Sequence, residues 1–216
     1  MNADQLLAKS VYKTFLGKDG NEFIAGDYSL YSIFRIVRFF KVNHVLEVGL
    51  GIGCIGYGAM QFAAQNGYPV NYSATEDNAF CLESVSKNLA QYLDKIAVFN
   101  NIAEVRPAQK FELVIVDGGN EKLAAIKDLI APAGIIFVEG GRALQVDVLH
   151  RYFPKKLQVE LITARKNPAG IRYAENSWYG GGTLIFINPT VRQRLFYWKE
   201  KILTSFKFRV LRKVGR

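Results

Sequence analysis

The chain has 216 residues, half of them hydrophobic and 13% aromatic, so it is long and apolar enough to bury a full core, and a disordered composition is excluded. No apolar run reaches the roughly 18 residues that a membrane span needs, and the opening MNADQLLAKSVYKTF lacks the apolar core of a signal peptide. The net charge is +9, yet residues 189–216 alone carry nine Lys/Arg against one acid, Glu200, so the remaining body is close to neutral at +1.

In chain order, residues 3–16 read as a first helix with apolar Leu6, Leu7, Val11 and Phe15, and GKDGN at 17–21 reads as a turn. A second helix, 28–41, is crowded with Tyr28, Tyr31, Phe34, Phe39 and Phe40. Strands are then predicted at 44–49, 70–76, 95–100, 111–117, 134–140, 157–164 and 182–188, and helices at 53–66, 78–93, 120–130, 142–152 and 190–212. Such alternation argues a mostly parallel sheet covered on both faces. FELVIVD and GIIFVE are nearly all apolar, as central parallel strands should be. Between the last two strands, residues 165–181 show no helical period, so those strands are expected to pair antiparallel. The expected organisation is a helical cap (1–43), an α/β body (44–188) and a basic amphipathic helix (189–216). Cys54 and Cys81 lack metal-ligand spacing, so free thiols in a reducing cytoplasm are expected.

The most telling segment is VLEVGLGIGCIGYGAM, 45–60. A strand ending in Glu47 meets Gly49, Gly51 and Gly53, and a helix follows. Glycines there tolerate positive φ and let a ligand approach the backbone, and the helix N-terminus offers free N–H groups. Gly51, Gly53 and Gly56 match the G-x-G-x-x-G of nicotinamide and flavin enzymes. Glu47, Gly49, Gly51 and Gly53 match acid-x-Gly-x-Gly-x-Gly, the first motif of class I S-adenosylmethionine-dependent methyltransferases. Glu47 favours the second pattern, because an acid repels a pyrophosphate and suits a ligand with an ammonium and a sulfonium. A plain β–turn–α unit with glycines used for packing is the third option.

From about Asp27 to Asn188 the chain resembles class I methyltransferases, and within them the small-molecule O-methyltransferases. The resemblance implies a Rossmann-like doubly wound sheet, mostly parallel, with a C-terminal antiparallel hairpin and an N-terminal helical cap. It implies S-adenosylmethionine as cofactor, bound by Glu47, Gly49, Gly51 and Gly53. Glu76, 25 residues after Gly51, would take the ribose hydroxyls, with Asp77 as its neighbour in case the register shifts by one. Asn101 and Ile102 stand where relatives often carry Asp-Ala against the adenine, and Glu104 is expected to face water. Asp117 ends the fourth strand and is expected both to touch the cofactor and to serve catalysis. In Asp117-Gly118-Gly119-Asn120 an Asn replaces the His often found in relatives, which removes the usual histidine base. Glu139, at the tip of the fifth strand, is the second catalytic candidate. Asp117 and Glu139 could mimic two ligands of the metal-dependent relatives, but Gly140 replaces the Asn and two carboxylates make a thin octahedral site, so no metal is expected. His44 and His150 read as structural. Trp178 and Tyr179, beside GGG, fit a mobile lid or hairpin packing equally well.

Methyl transfer needs positioning and exclusion of water first, and a base only where the acceptor must lose a proton. The aromatic helix 28–41 would close over a flat acceptor, or serve as core or as a homodimer surface. The acceptor is expected to be a small molecule, lipid- or glycan-linked forms included. In the tail, Val191, Leu195, Trp198, Ile202 and Phe206 form a helical apolar stripe interleaved with basic residues. The stripe either packs on the body with its charges in water, or lies on an anionic membrane surface, which would place the protein peripherally on the inner face of a membrane. Nucleic acid is the weaker partner, since no nucleic-acid motif accompanies the charge. A non-catalytic scaffold of the same fold stays open beside the enzyme.

Overall fold

The computed structural model describes residues 1–118, 123–166, 178 and 180–214. Five strands run parallel: β1 (His44–Val48), β2 (Asn71–Thr75), β3 (Ile96–Phe99), β4 (Phe111–Val116) and β5 (Ile130–Glu139). β6 (Lys156–Ile162) and β7 (Gly181–Ile187) complete the sheet, with β7 antiparallel to both β5 and β6. The order is β3-β2-β1-β4-β5-β7-β6, so the final hairpin folds back and slots its second strand against β5. β4 and the second half of β5 are buried on both faces, which is why their sequences do not alternate. Strand order reverses between β1 and β4. At such a reversal the connections leave to opposite faces and a cleft opens beyond the strand C-termini.

One face of the sheet is covered by α1 (Ala3–Leu16), α2 (Asp27–Phe40), α3 (Cys54–Asn66) and α4 (Ala79–Asn88), joined by Phe196 and Tyr197 of α7 (Val191–Phe206). The other is covered by the short α5 (Ile126–Leu129) and by α6 (Ala143–Tyr152), with Ile102, Val105 and Phe153. Cap, body and tail therefore share one continuous core. Capping explains two helix starts. Asn2 with Gln5, and Thr190 with Gln193, form reciprocal capping boxes at α1 and α7.

Several boundaries differ from expectation. The predicted helix 78–93 ends at Asn88 and continues as a 3-10 turn, Ala90–Lys95. The helix expected at 120–130 begins outside the described residues, and within them only a turn at Leu123–Ala125 and α5 are helical. The tail helix is regular only to Phe206; a π-turn, Lys207–Leu211, and a last turn, Arg212–Val214, follow. Among the α2 aromatics, Phe34 is core, Tyr28, Tyr31 and Phe40 are half-buried against the core, and Phe39 is exposed. Phe34 stacks on Phe62 with centroids 5.0 Å apart, and Phe39 and Phe40 both pack on Phe196.

Candidate active site

The cleft at the β1/β4 reversal holds a cavity of about 640 Å³, within the range of cofactor pockets. Its floor is the glycine turn after β1. Gly49 and Gly51 have φ of +89° and +56°. A Cβ on Gly49 would lie 2.4 Å from Cα of Gly118, where the tips of β1 and β4 cross, and the amides of Asp117 and Gly118 both donate to the Val48 carbonyl at 2.9 and 2.8 Å. A Cβ on Gly51 would lie 2.4 Å from the carbonyl oxygen of Phe23, in the cap. The sequence suggested that these glycines clear space for a ligand. Here they clear space for two other stretches of the chain, which then become cavity walls. Gly53 begins α3 beside Leu89 and does not line the cavity.

Glu76, at the tip of β2, faces the cavity and anchors the turn. Its carboxylate accepts from the Gly51 N–H at 2.6 Å and from the amides of Asp77 and Asn78 at 3.1 and 2.9 Å. A carboxylate offers about four acceptor positions, so capacity remains for a ligand hydroxyl. Asp77 sits exposed at the cavity margin. Ile102 presents a buried apolar wall. Asn101 lines the cavity, with its Oδ1 accepting from the Ala103 N–H at 3.0 Å and its amide bound to Glu104, which is exposed.

The opposite end of the cavity carries the charge cluster. Arg142, at the start of α6, donates to Asp117 at 2.6 Å and approaches Glu139 at 4.0 Å. Glu139 is buried, and its Oε1 lies 2.9 Å from the hydroxyl of the fully buried Ser29. That hydroxyl also lies 2.9 Å from the Gly181 carbonyl. Burial, and then the charge of Glu139, push the Asp117 carboxyl up to about 8 against the pull of Arg142. Asp117 is thus held in its protonated form at neutral pH. The sequence placed both carboxylates correctly at one edge but did not single out Arg142 or Ser29. Spacing gave only a weak signal for Arg142, three residues after the strand-tip acid on a helix start. Ser29 is 110 residues from Glu139 and gave none.

Glu47, expected to reach the cofactor's cationic groups directly or through water, does not face the cavity directly. It is fully buried and absent from the cavity wall. Along β1, Glu47 falls on the α3 side of the sheet, with its Oε2 3.6 Å from where a Cβ on Gly56 would lie. Oε2 accepts from the Tyr72 hydroxyl at 2.7 Å, while Oε1 has no partner. Burial pushes its carboxyl well above the usual range, so the neutral form is favoured and no negative charge is offered to a sulfonium.

His44 and His150 do not line the cavity, and His150 bonds to Gln158. Trp178 bridges to Lys166 and lies under the guanidinium of Arg212, 4.8 Å from the ring centre, which is hairpin packing rather than a cover for the cleft. Tyr179, Gly119 and Asn120 lie outside the described residues. Cys54 and Cys81 are free and buried; Cys81 borders the cavity, and burial pushes its thiol up to about 11. Among the described residues no three His, Cys, Asp or Glu side chains form a metal-binding group, and a divalent ion between Asp117 and Glu139 would face the guanidinium of Arg142.

No protein-family model and no curated protein matches the sequence. Solved structures do resemble it. An O-methyltransferase from Bacillus cereus, in complex with S-adenosylhomocysteine, superposes with a TM-score of 0.60 at 11% identity, over 85% of this chain and 91% of that one. The S-adenosylhomocysteine-bound methyltransferase PaMTH1 from Podospora anserina gives 0.58 at 13% identity, over 87% and 89%. The O-methyltransferase TomG from Streptomyces achromogenes, in complex with S-adenosylmethionine, gives 0.56 at 15% identity, over 87% and 90%. The fold is that of the class I methyltransferases. As in that fold, the cleft lies over the tips of β1, β2 and β4, the edge where Glu76 and Asp117 stand.

Proposed function

We propose that this chain is an S-adenosylmethionine-dependent methyltransferase acting on a small-molecule acceptor, with oxygen as the nucleophile. The observation that carries the proposal is the charge of the cleft. Among the described residues, Glu22, Glu76, Asp77 and Glu139 line it together with the protonated Asp117, against one cation, Arg142. A dinucleotide's pyrophosphate would be repelled, and the Gly51 amide it would need is already given to Glu76. A ligand carrying an ammonium and a sulfonium suits this field. When bound, S-adenosylmethionine supplies an electrophilic methyl group.

The chain's own residues would divide the remaining work. Glu76 accepts from ribose hydroxyls while holding the turn. Ile102 offers an apolar face, and Asn101 a second acceptor position, to an adenine. Gly49 and Gly51 supply the floor, with Asp117 at its far side. Glu139, Arg142 and Gln145 form the end at which an acceptor would meet the methyl group. At neutral pH Asp117 holds a proton and orients as a donor. Above about 8 it becomes a base. Glu47 acts from behind the turn, tying β1 to Tyr72. A lipid- or glycan-linked hydroxyl is the acceptor class that also accounts for a basic tail on the same chain.

The test is transfer of an isotopically labelled methyl group from S-adenosylmethionine to a panel of hydroxyl, carboxyl and amine acceptors. Label should move to a hydroxyl acceptor, and Glu139→Gln should slow it at least about tenfold. Retained cofactor binding without transfer to any acceptor would favour the scaffold alternative.

A further inference from the structure

Helix α7 has three distinct sides. Towards the body it buries Gln193, Phe196, Tyr197 and Glu200. Gln193 donates to the Ala133 carbonyl at 2.7 Å, Thr204 to the Glu160 carbonyl at 2.5 Å, and Glu200 pairs with Arg35. The helix is therefore fixed without help from the apolar stripe. The stripe points away: Val191, Leu195, Trp198, Ile202 and Phe206 are 51–75% exposed. Beyond the stripe, Phe208, Val210, Leu211 and Val214 are also exposed. At about 100° per residue, Arg192 and Lys199 fall on one flank of the stripe and Arg194 and Lys201 on the other, each roughly 60–100° from its centre. All four are exposed. Of the readings offered for the stripe, packing on the body is overturned, because a second arc of the helix occupies the body.

We propose that this outward face is an interfacial helix that seats the protein on an anionic lipid surface. An apolar ridge with a tryptophan at its middle and cations on both flanks is what an in-plane helix presents to the boundary between headgroups and acyl chains. A second copy of the chain is a poor occupant. It would bring the same four cations against their counterparts, and the tail's one acid, Glu200, is buried against Arg35. Nucleic-acid phosphates would meet the ridge rather than a continuous basic strip. The far end of this surface is tied to the end of β6 and the start of α2. Lys207 donates to the Ile162 carbonyl and to Tyr28, next to the Ser29 that contacts Glu139, and Arg212 donates to the Thr163 carbonyl. The lipid-binding claim does not depend on the methyl-transfer proposal.

The experiment is co-sedimentation of the full-length chain with vesicles of phosphatidylcholine alone and with about one-third phosphatidylserine. The protein should bind the anionic vesicles, and binding should weaken as salt rises from about 0.02 to 0.5 M. Ile202→Asp and the pair Lys199→Glu/Lys201→Glu should each lower affinity at least about tenfold. Their melting temperatures should match wild type, because the substituted side chains are exposed. Absence of binding by the full-length chain at low salt would overturn the proposal. So would Ile202→Asp binding as well as wild type, or wild-type self-association that Ile202→Asp abolishes while vesicle binding persists.

Discussion

Between about pH 4 and pH 8 the folded chain should hold a proton on Asp117 that the unfolded chain has released. The cause is local: burial and then Glu139 push Asp117 up to about 8 from its ordinary 3.8, with Arg142 opposing both. The folded state binds more protons than the unfolded state in this window. Stability contributed by the held proton is therefore full at low pH, falls as pH rises through the window, and levels off above about 8. One proton of difference corresponds to a slope of about 1.4 kcal/mol per pH unit. Asp117→Asn removes the titration while keeping an acceptor for Arg142. Urea unfolding of wild type and variant at steps from about pH 5 to pH 9 isolates the effect, since other groups titrate in both. The variant should gain on wild type by about 1.4 kcal/mol per unit through the middle of the window, and the difference should flatten above about pH 8. Parallel profiles would refute the proton held on Asp117 and, with it, the role of Asp117 as a donor at neutral pH.

Three further perturbations follow from the geometry. Glu76→Ala removes the acceptor for the Gly51 amide and for ribose hydroxyls, so affinity for S-adenosylhomocysteine should fall about ten- to 150-fold in calorimetry, the equivalent of about 1.5–3 kcal/mol; an unchanged affinity would remove Glu76 from the site. Gly49→Ala puts a methyl 2.4 Å from Gly118 at φ +89°, and should destabilise the fold by about 3 kcal/mol or more in urea unfolding. Glu200→Ala leaves the guanidinium of Arg35 partly buried without its partner and should cost about 3 kcal/mol, measured the same way, whereas a loss under about 1 kcal/mol would mean that the ion pair does not fix α7.

Much of the architecture was legible because parallel strands announce themselves. FELVIVD and GIIFVE had to be buried on both faces, and an acid-then-glycine turn after β1 sets the cleft. Asp117 and Glu139 were legible for a related reason: a charged residue closing an apolar strand has only the strand's tip to occupy; Glu76, after the more polar NYSAT, was legible from its spacing of 25 residues after Gly51. Other features were hidden by faces and by distance. Glu47 sits one residue too early on β1, so its side chain turns towards α3 and away from the cleft. A helical wheel of α7 holds two apolar arcs. Counting Val191, Leu195, Trp198, Ile202 and Phe206 cannot reveal that Phe196 and Tyr197 take the body, because the deciding residue, Glu200, reads as a surface charge until Arg35 is brought to it from α2. The roles of Gly49 and Gly51 depend on Gly118 and Phe23, which approach from other elements.

The most direct test is calorimetric titration of the wild-type chain with S-adenosylmethionine, S-adenosylhomocysteine and NAD. An acidic cleft built around Glu76 predicts saturable binding of both S-adenosyl ligands. The cationic S-adenosylmethionine should be the tighter at low salt, and the gap should narrow as salt rises. NAD should not bind. Binding of NAD without either S-adenosyl ligand would contradict the account at its centre.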